Sequence, residues 1–209
     1  MRIIKSETIT ETIKELCIKG ACHLPTDVYN RLLEAISTED SPVSKHTLEI
    51  LKENADIAAS NQGPICQDTG MACIFVEIGQ EVYVDGNLTE AINEGVRQGY
   101  TEGYLRKSVV NDPVFDRINT KDNTPAIIHY DIVPGDQLKI TVAPKGFGSE
   151  NMCQVKMLKP SDGIEGVKDF ILKVVEDAGP NPCPPIVIGV GIGCLLYTSD
   201  AADDLIGVD

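Results

Sequence analysis

Two short stretches of this sequence put reactive side chains where they would be displayed rather than packed. In Pro64-Ile-Cys-Gln-Asp-Thr-Gly70 a thiol, a carboxamide and a carboxylate stand together in a glycine-bordered segment ahead of an apolar run. Loops of that kind suit a site, because their side chains face outward on a rigid scaffold. In Gly179-Pro-Asn-Pro-Cys-Pro-Pro185 four prolines surround Cys183; they stiffen the backbone and would hold its sulfur at a fixed angle. A third stretch, Lys145-Gly-Phe-Gly-Ser149, reads as a turn whose glycines let backbone N–H groups approach an anion.

The thiols narrow the chemistry further. Seven cysteines (17, 22, 66, 73, 153, 183 and 194) are an odd number, and the start, Met-Arg-Ile-Ile-Lys-Ser-Glu, has no apolar core of a signal peptide. The expectation is a cytoplasmic chain with reduced thiols, some of them metal ligands, rather than a disulfide framework. A formal net charge of −14 argues against a sequence-independent grip on nucleic acid, which needs clustered Lys and Arg. An anionic substrate would need a local basic patch. Arg97, Lys107 and Arg117 are candidates by position, and Arg106 on its own is a surface cation at a helix end. No run of about 18 apolar residues occurs, so no membrane span is expected.

Elements must hold these stretches in place. With 42% apolar and 24% charged residues among 209, the chain has globular composition and enough length for a core. Ile9, Ile13, Leu16 and Cys17 recur at helical spacing after Ser6, with Gly20 placed to end the helix; a second helix follows Pro25 and Thr26, and a third runs from about Ser44. Asn61 to Gly70 is a loop feeding the strand Ala72–Ile78, and Leu88 to Tyr104 reads as a further helix. Ala126–Val133 and Gln137–Val142 are β-rich runs joined by Pro134-Gly-Asp136, a hairpin signal. Ser161 opens a helix stopped by Gly179, and Pro185–Val190 reads as a short buried strand. The expected class is α+β: N-terminal helices, then a mixed β-sheet with covering helices.

After Gly193 the pattern breaks. Cys-Leu-Leu-Tyr-Thr-Ser-Asp-Ala-Ala-Asp back-translates as tgt ctc tta tac aca tct gac gct gcc gac, which resembles the adapter of transposase-based sequencing libraries. Gly207-Val-Asp209 fits its next fixed part. Residues 194 to 209 are therefore expected to be a non-native tail, which removes Cys194 and four Asp from consideration, and the native chain is expected to continue past Gly193 as a helix.

Taken in order, Cys66-Gln-Asp-Thr-Gly70, Asn111-Asp-Pro-Val-Phe-Asp-Arg-Ile-Asn119, Pro144-Lys-Gly-Phe-Gly-Ser-Glu-Asn151 and Gly179-Pro-Asn-Pro-Cys-Pro-Pro-Ile-Val-Ile-Gly-Val-Gly-Ile-Gly193 resemble the α-type region of the class I fumarase and L(+)-tartrate dehydratase family. The resemblance covers residues 1 to 193. It implies a [4Fe–4S] cluster held by three cysteines, with one iron left open as a Lewis acid. Cys66 and Cys183 match two ligands, and the third would lie beyond the end of the matched region, absent from this sequence.

By the same resemblance Gln67 and Asp68 line the substrate site, Asp68 with a part in proton handling or orientation. Arg106 matches the arginine that grips a substrate carboxylate. Gly148 matches a substrate-contacting glycine, with Gly146 as the alternative. Cys17, Cys22, Cys73 and Cys153 match no ligand and are expected to be core thiols; His23, His46 and His129 fall on no motif.

The implied reaction is reversible hydration of a C4 dicarboxylate, fumarate to (S)-malate as in the tricarboxylic acid cycle, or alternatively dehydration of L(+)-tartrate. The implied partners are the substrate, a β subunit or C-terminal domain that completes the site, and further copies in an oligomer. A reading of another class is a non-catalytic subunit that only presents the cluster region. A dinucleotide-binding domain is also suggested by Gly189-x-Gly191-x-Gly193, but its third glycine would fall at position 194, which is Cys.

Overall fold

The computed structural model describes residues 1–183 and 185–193, so the expected tail at 194–209 lies outside the described residues. The chain divides into two compact units, Met1–Lys145 and a second beginning at Gly146.

The first unit opens on an element that helical periodicity does not reveal. Strand β1 (Arg2–Lys5) precedes helix α1 (Ser6–Cys22). Four residues are too few for their alternation to stand out, and β1 exists by pairing in parallel with a strand that lies some 80 positions on, Arg2 against Val82. Helices α2 (Thr26–Thr38) and α3 (Pro42–Asn61) follow. The Ser41 hydroxyl caps α3 by accepting from the Ser44 N–H at 3.4 Å. Gly20 does not stop α1, which runs on to Cys22.

Strand β2 (Met71–Gly79) is the axis of the main sheet, and β3 (Val82–Asp85) is the partner of β1. Helix α4 (Leu88–Glu102) comes next, followed by β4 (Ile127–Val133) and β5 (Leu138–Lys145). The sheet order is β4-β2-β5, with β4 parallel and β5 antiparallel to β2. The expected hairpin therefore does not form: β4 and β5 are neighbours in sequence but β2 lies between them. The turn at 134–136 instead arches over the end of β2, where the N–H groups of Gly79, Gln80 and Glu81 donate to the carbonyls of Gln137, Val133 and Gly135 at 2.8–2.9 Å. A side chain at Gly79 would collide with the Gly135 carbonyl, so that glycine admits the crossing.

The core lies between this sheet and two helices. Alternation along β2 buries Ala72, Ile74 and Val76 on one face, under Ile9, Ile13 and Cys17 of α1 and Ile92, Val96 and Tyr100 of α4. Each large aliphatic side chain so buried stabilises the fold by roughly 1.5–3 kcal/mol. The helices approach at backbone distance: a Cβ at Gly95 would stand 2.7 Å from the Thr10 carbonyl oxygen, and one at Gly99 2.9 Å from Cys17 Cβ. On the opposite face of the sheet His129 stacks on its cross-strand partner Phe75, ring centroids 5.0 Å apart. That contact accounts for the histidine without a chemical role.

The second unit holds the short helix α5 (Phe147–Glu150), a 3-10 turn at Pro160–Asp162 and helix α6 (Gly163–Ala178). The Asp162 carboxylate accepts the Lys159 N–H at 2.8 Å, which fixes the 3-10 turn and delays the expected helix from Ser161 to Gly163. Gly179, at φ 52°, ends α6. Pro185–Val190 is not a buried strand: the segment has no regular structure, and Val187 is 82% exposed. Its apolar composition fits burial, but a strand needs a partner for its backbone, and none pairs with it among the described residues. The helices and mixed sheet together make the protein α+β. No helix among the described residues is long and apolar enough to cross a membrane.

Candidate active site

Helix α3 ends at Gln62, which takes a left-handed conformation at φ 51° and turns the chain into the Cys66 loop. Two bonds dock the start of that loop: the Ile65 N–H donates to the Ala21 carbonyl at 2.9 Å, and the Asn54 side-chain amide donates to the Ile65 carbonyl at 2.8 Å. Cys66 is then exposed, with the Asp68 N–H directed at its sulfur at 3.4 Å. Asp68 Oδ1 accepts the Gly70 N–H at 3.1 Å. The carboxylate thus orders its own loop, the capping role to which Asp is suited.

The loop's far side is buried. Thr69 is 6% exposed, and its hydroxyl donates to the Arg106 carbonyl at 3.2 Å while accepting the Arg106 N–H at 2.9 Å. The Tyr100 hydroxyl reaches the carbonyls of Thr69 and Gly70 at 3.1 and 3.3 Å. Asn123, fully buried, donates to the Gly70 carbonyl at 3.1 Å and accepts from the N–H groups of Ser108 and Val109 at 2.8 and 3.2 Å. The structure therefore brings Cys66, Gln67, Asp68 and Arg106 to one place, although Arg106 follows Cys66 by 40 positions.

The Arg106 side chain is exposed, and no carboxylate pairs with it among the described residues. Arg97, by contrast, is held by Glu94 and Asp122, the latter at 3.0 Å; the hydrogen bond it donates to Asp122 leads the causes that raise its pKa. A surface hollow beside α1 and α4 is lined by Glu7, Glu11, Glu90 and Glu94, the wrong sign for a dicarboxylate.

Thr69, Tyr100 and Asn123 were not legible as contributors. Thr69 lies inside the quoted motif, but nothing in the pattern of Asp122-Asn-Thr-Pro125 distinguishes a buried bridge from an ordinary loop.

In the second unit Cys183 is exposed at φ 60°, a left-handed backbone that is costly for a non-glycine residue. Its N–H donates to the Pro180 carbonyl at 3.2 Å. The Gly148 turn lies beside it: a Cβ there would stand 3.5 Å from the Asn181 carbonyl oxygen, and the Asn181 amide donates to the Met152 sulfur at 3.6 Å. Gly146 and Gly148 keep negative-φ or extended backbone, so left-handed freedom is not what these positions use.

The remaining thiols separate by burial. Cys17 and Cys22 are buried, and desolvation pushes the Cys17 thiol up to about 12; Cys22 is raised for the same reason. Cys73 is half-buried and Cys153 is exposed. Cys153 is therefore not a core thiol: it follows α5 in a segment whose apolar residues Val155 and Met157 are themselves exposed. Among the described residues no group of three or more His, Cys, Asp or Glu is placed to hold a metal ion.

Residues 10–202 match the family described as fumarate hydratase (Fumerase). A Methanocaldococcus jannaschii protein provisionally named L(+)-tartrate dehydratase subunit alpha is 44% identical over 190 residues, 88% of this chain and 67% of that protein. The L(+)-tartrate dehydratase subunit alpha of Escherichia coli strain UTI89 is 31% identical over 195 residues, 91% of this chain and 64% of that protein; that of strain K12 is 30% identical over the same length. The chain thus spans about two thirds of the length of these relatives. With the family matched over nearly its whole length and two of the resembling motifs displayed on exposed loops, the chain belongs to the fumarate hydratase (Fumerase) family.

Proposed function

We propose that this chain is the α-type catalytic part of an iron–sulfur hydro-lyase that adds water to, or removes it from, a C4 dicarboxylate. The observation that carries the reading is the coupling of the Cys66–Asp68 loop to Arg106 through Thr69. It ties the backbone of Arg106, whose side chain is exposed, to the loop that carries Cys66 and Asp68.

The donors fit a cluster in kind. Cys66 and Cys183 are exposed thiols on ordered loops, and a backbone N–H already points at the Cys66 sulfur, the type of bond that tunes cluster thiolates. The third cysteine would come from the part of the family's length that this chain does not span. When bound, the cluster supplies a Lewis-acidic iron that eases departure of a hydroxyl.

The chain's own groups do the rest. Arg106 binds one substrate carboxylate through its planar fork. Gln67 donates from its carboxamide to a substrate oxygen, and Asp68 holds or moves a proton at its carboxylate. Gly148 is the glycine that by the family resemblance contacts the substrate.

Two substrates are in view. Fumarate, hydrated to (S)-malate, is supported by the name of the matched family. L(+)-tartrate is favoured by the names of the relatives, which also suggest a separate β subunit as partner. The test is the complete enzyme, made without oxygen together with its β subunit or C-terminal domain and assayed on both substrates. Activity with bound iron, lost in air, is expected, because an iron without a protein ligand is the first to be oxidised and lost. Full activity in aerated buffer without iron would overturn the cluster. Activity that appears only with the downstream region present would mark a shared site; a complete enzyme inert toward both acids would favour the cluster-presenting subunit.

We also propose that residues 194–209 are non-native. The family match, which runs to residue 202, is the observation against it. An uncontaminated read of the DNA past codon 193 is expected to replace Leu-Leu-Tyr-Thr-Ser with helical sequence.

A further inference from the structure

Resting on the assignment of Asp68 and Arg106 to the substrate site, we infer that Thr69 is a positioning residue. Its hydroxyl sets the separation between the Asp68 carboxylate and the Arg106 guanidinium. One oxygen atom makes both bonds to Arg106, donating to its carbonyl at 3.2 Å and accepting its N–H at 2.9 Å. Because Thr69 is the next residue after Asp68, the two substrate-facing side chains are only one hydroxyl apart along the bonded path.

Packing alone would permit sliding between the loop and the segment after α4. Two directional bonds to one backbone unit fix both distance and rotation. The surroundings prevent the joint from opening. Tyr100, 1% exposed, and Asn123, 0% exposed, bond to the carbonyls of Thr69 and Gly70 on one side, and Asn123 to the N–H groups of Ser108 and Val109 on the other. Gly70 after Thr69, and Ser108 and Val109 after Arg106, are thereby tied to one buried side chain. A valine at 69 would keep the shape and lose both bonds. Arg106 would still be present and charged, but no longer held at the angle that lets a dicarboxylate bridge it and Asp68, and small misplacements of such groups are costly.

The test uses the complete enzyme with its β subunit or C-terminal domain, with binding of succinate measured by calorimetry. Succinate is a C4 dicarboxylate with neither double bond nor hydroxyl, so it binds without reacting. Thr69→Val is expected to weaken succinate binding about tenfold and to raise KM similarly, with kcat changed less and the iron content unaltered. Thr69→Ser, which restores the hydroxyl, is expected to return binding to within about twofold of the parent.

Unchanged succinate binding in Thr69→Val would overturn the inference, as would an equal loss in Thr69→Ser. Should Thr69→Val not assemble, Tyr100→Phe takes its place: it removes the hydroxyl that holds the Thr69 and Gly70 carbonyls, and about threefold weaker binding is expected, with no change overturning the inference. Arg106→Ala separates this failure from that of the functional reading. If Arg106→Ala leaves succinate binding unchanged, the site assignment itself is wrong. If it weakens binding while Thr69→Val does not, only the positioning role falls.

Discussion

Cys66 and Cys183 are both exposed, yet the chain around each is held in a different way. The Cys66 loop sits over a buried polar network, with Thr69, Tyr100 and Asn123 binding the carbonyls beneath it. The Cys183 loop rests on its own tight turn and on the Asn181 contacts to Gly148 and Met152, and the residues after it expose Val187 and Ile192. One cysteine is set by the core of its unit; the other is set by local backbone geometry, prolines and a left-handed φ. The first loop depends on residues distant in sequence, the second on its immediate neighbours.

If the two sulfurs nevertheless serve one cluster, they are equivalent in the experiment with the largest expected effect. Cys66→Ser and Cys183→Ser, each in the complete enzyme, should both lower activity by about a thousandfold or more and abolish iron binding, since losing the Lewis acid removes several kcal/mol of transition-state stabilisation. Cys153→Ser, an exposed thiol in the same unit as Cys183, should do neither. A crystal structure of the complete enzyme should then place the Cys66 and Cys183 sulfurs within roughly 6–7 Å of each other, as one cubane requires. Sulfurs more than about 12 Å apart, beyond what an empty site could relax, would break the equivalence.

The Cys66 loop makes its own claim. Arg106→Ala should raise KM about a hundredfold and Arg106→Lys about tenfold, because lysine keeps the charge but not the fork. A near-parental KM in Arg106→Lys beside a large rise in Arg106→Ala would mean that Arg106 acts only as a charge. Hydrogen exchange should show the difference between the loops directly. The Arg106 N–H, bonded to the buried Thr69 hydroxyl, should exchange about a hundredfold more slowly than the Cys183 N–H, which is bonded across an exposed turn.

What could be read from sequence divides along the same line. The helices of the first unit were legible because apolar residues such as Ile9, Ile13 and Cys17 repeat at the helical period, although the third begins at Pro42 rather than about Ser44. The cysteine loops were legible from Gly and Pro content and from motif order. Pairing was not. The β4-β2-β5 order depends on a crossing at Gly79 that a Pro-Gly turn signal cannot distinguish from a hairpin, and β1 exists only through its distant partner. The network under Cys66 was hidden for the same reason. Asn123 has no local signature; its meaning comes from Gly70, Ser108 and Val109 meeting around it.

The smallest expected effect concerns the thiols that should stay out of the chemistry. Burial pushes Cys17 from an ordinary 9.0 up to about 12, and its neighbours Ile13, Val96 and Tyr100 leave it no water. In the folded protein the neutral thiol is favoured, whereas in the unfolded chain it ionises near 9.0. The stabilisation is therefore fully present below that pH and is lost as pH climbs through about 12. Alkaline unfolding should ease over that window in the parent, and Cys17→Ala should flatten the slope there at some cost in stability at neutral pH from the small void. Alkylation of metal-free protein at mildly alkaline pH gives the contrast with the site: Cys66 and Cys183 should be modified on exposed loops while Cys17 is spared until the protein unfolds. Modification of Cys17 at the same rate as Cys66 would show that the α1–α4 layer opens in the native state.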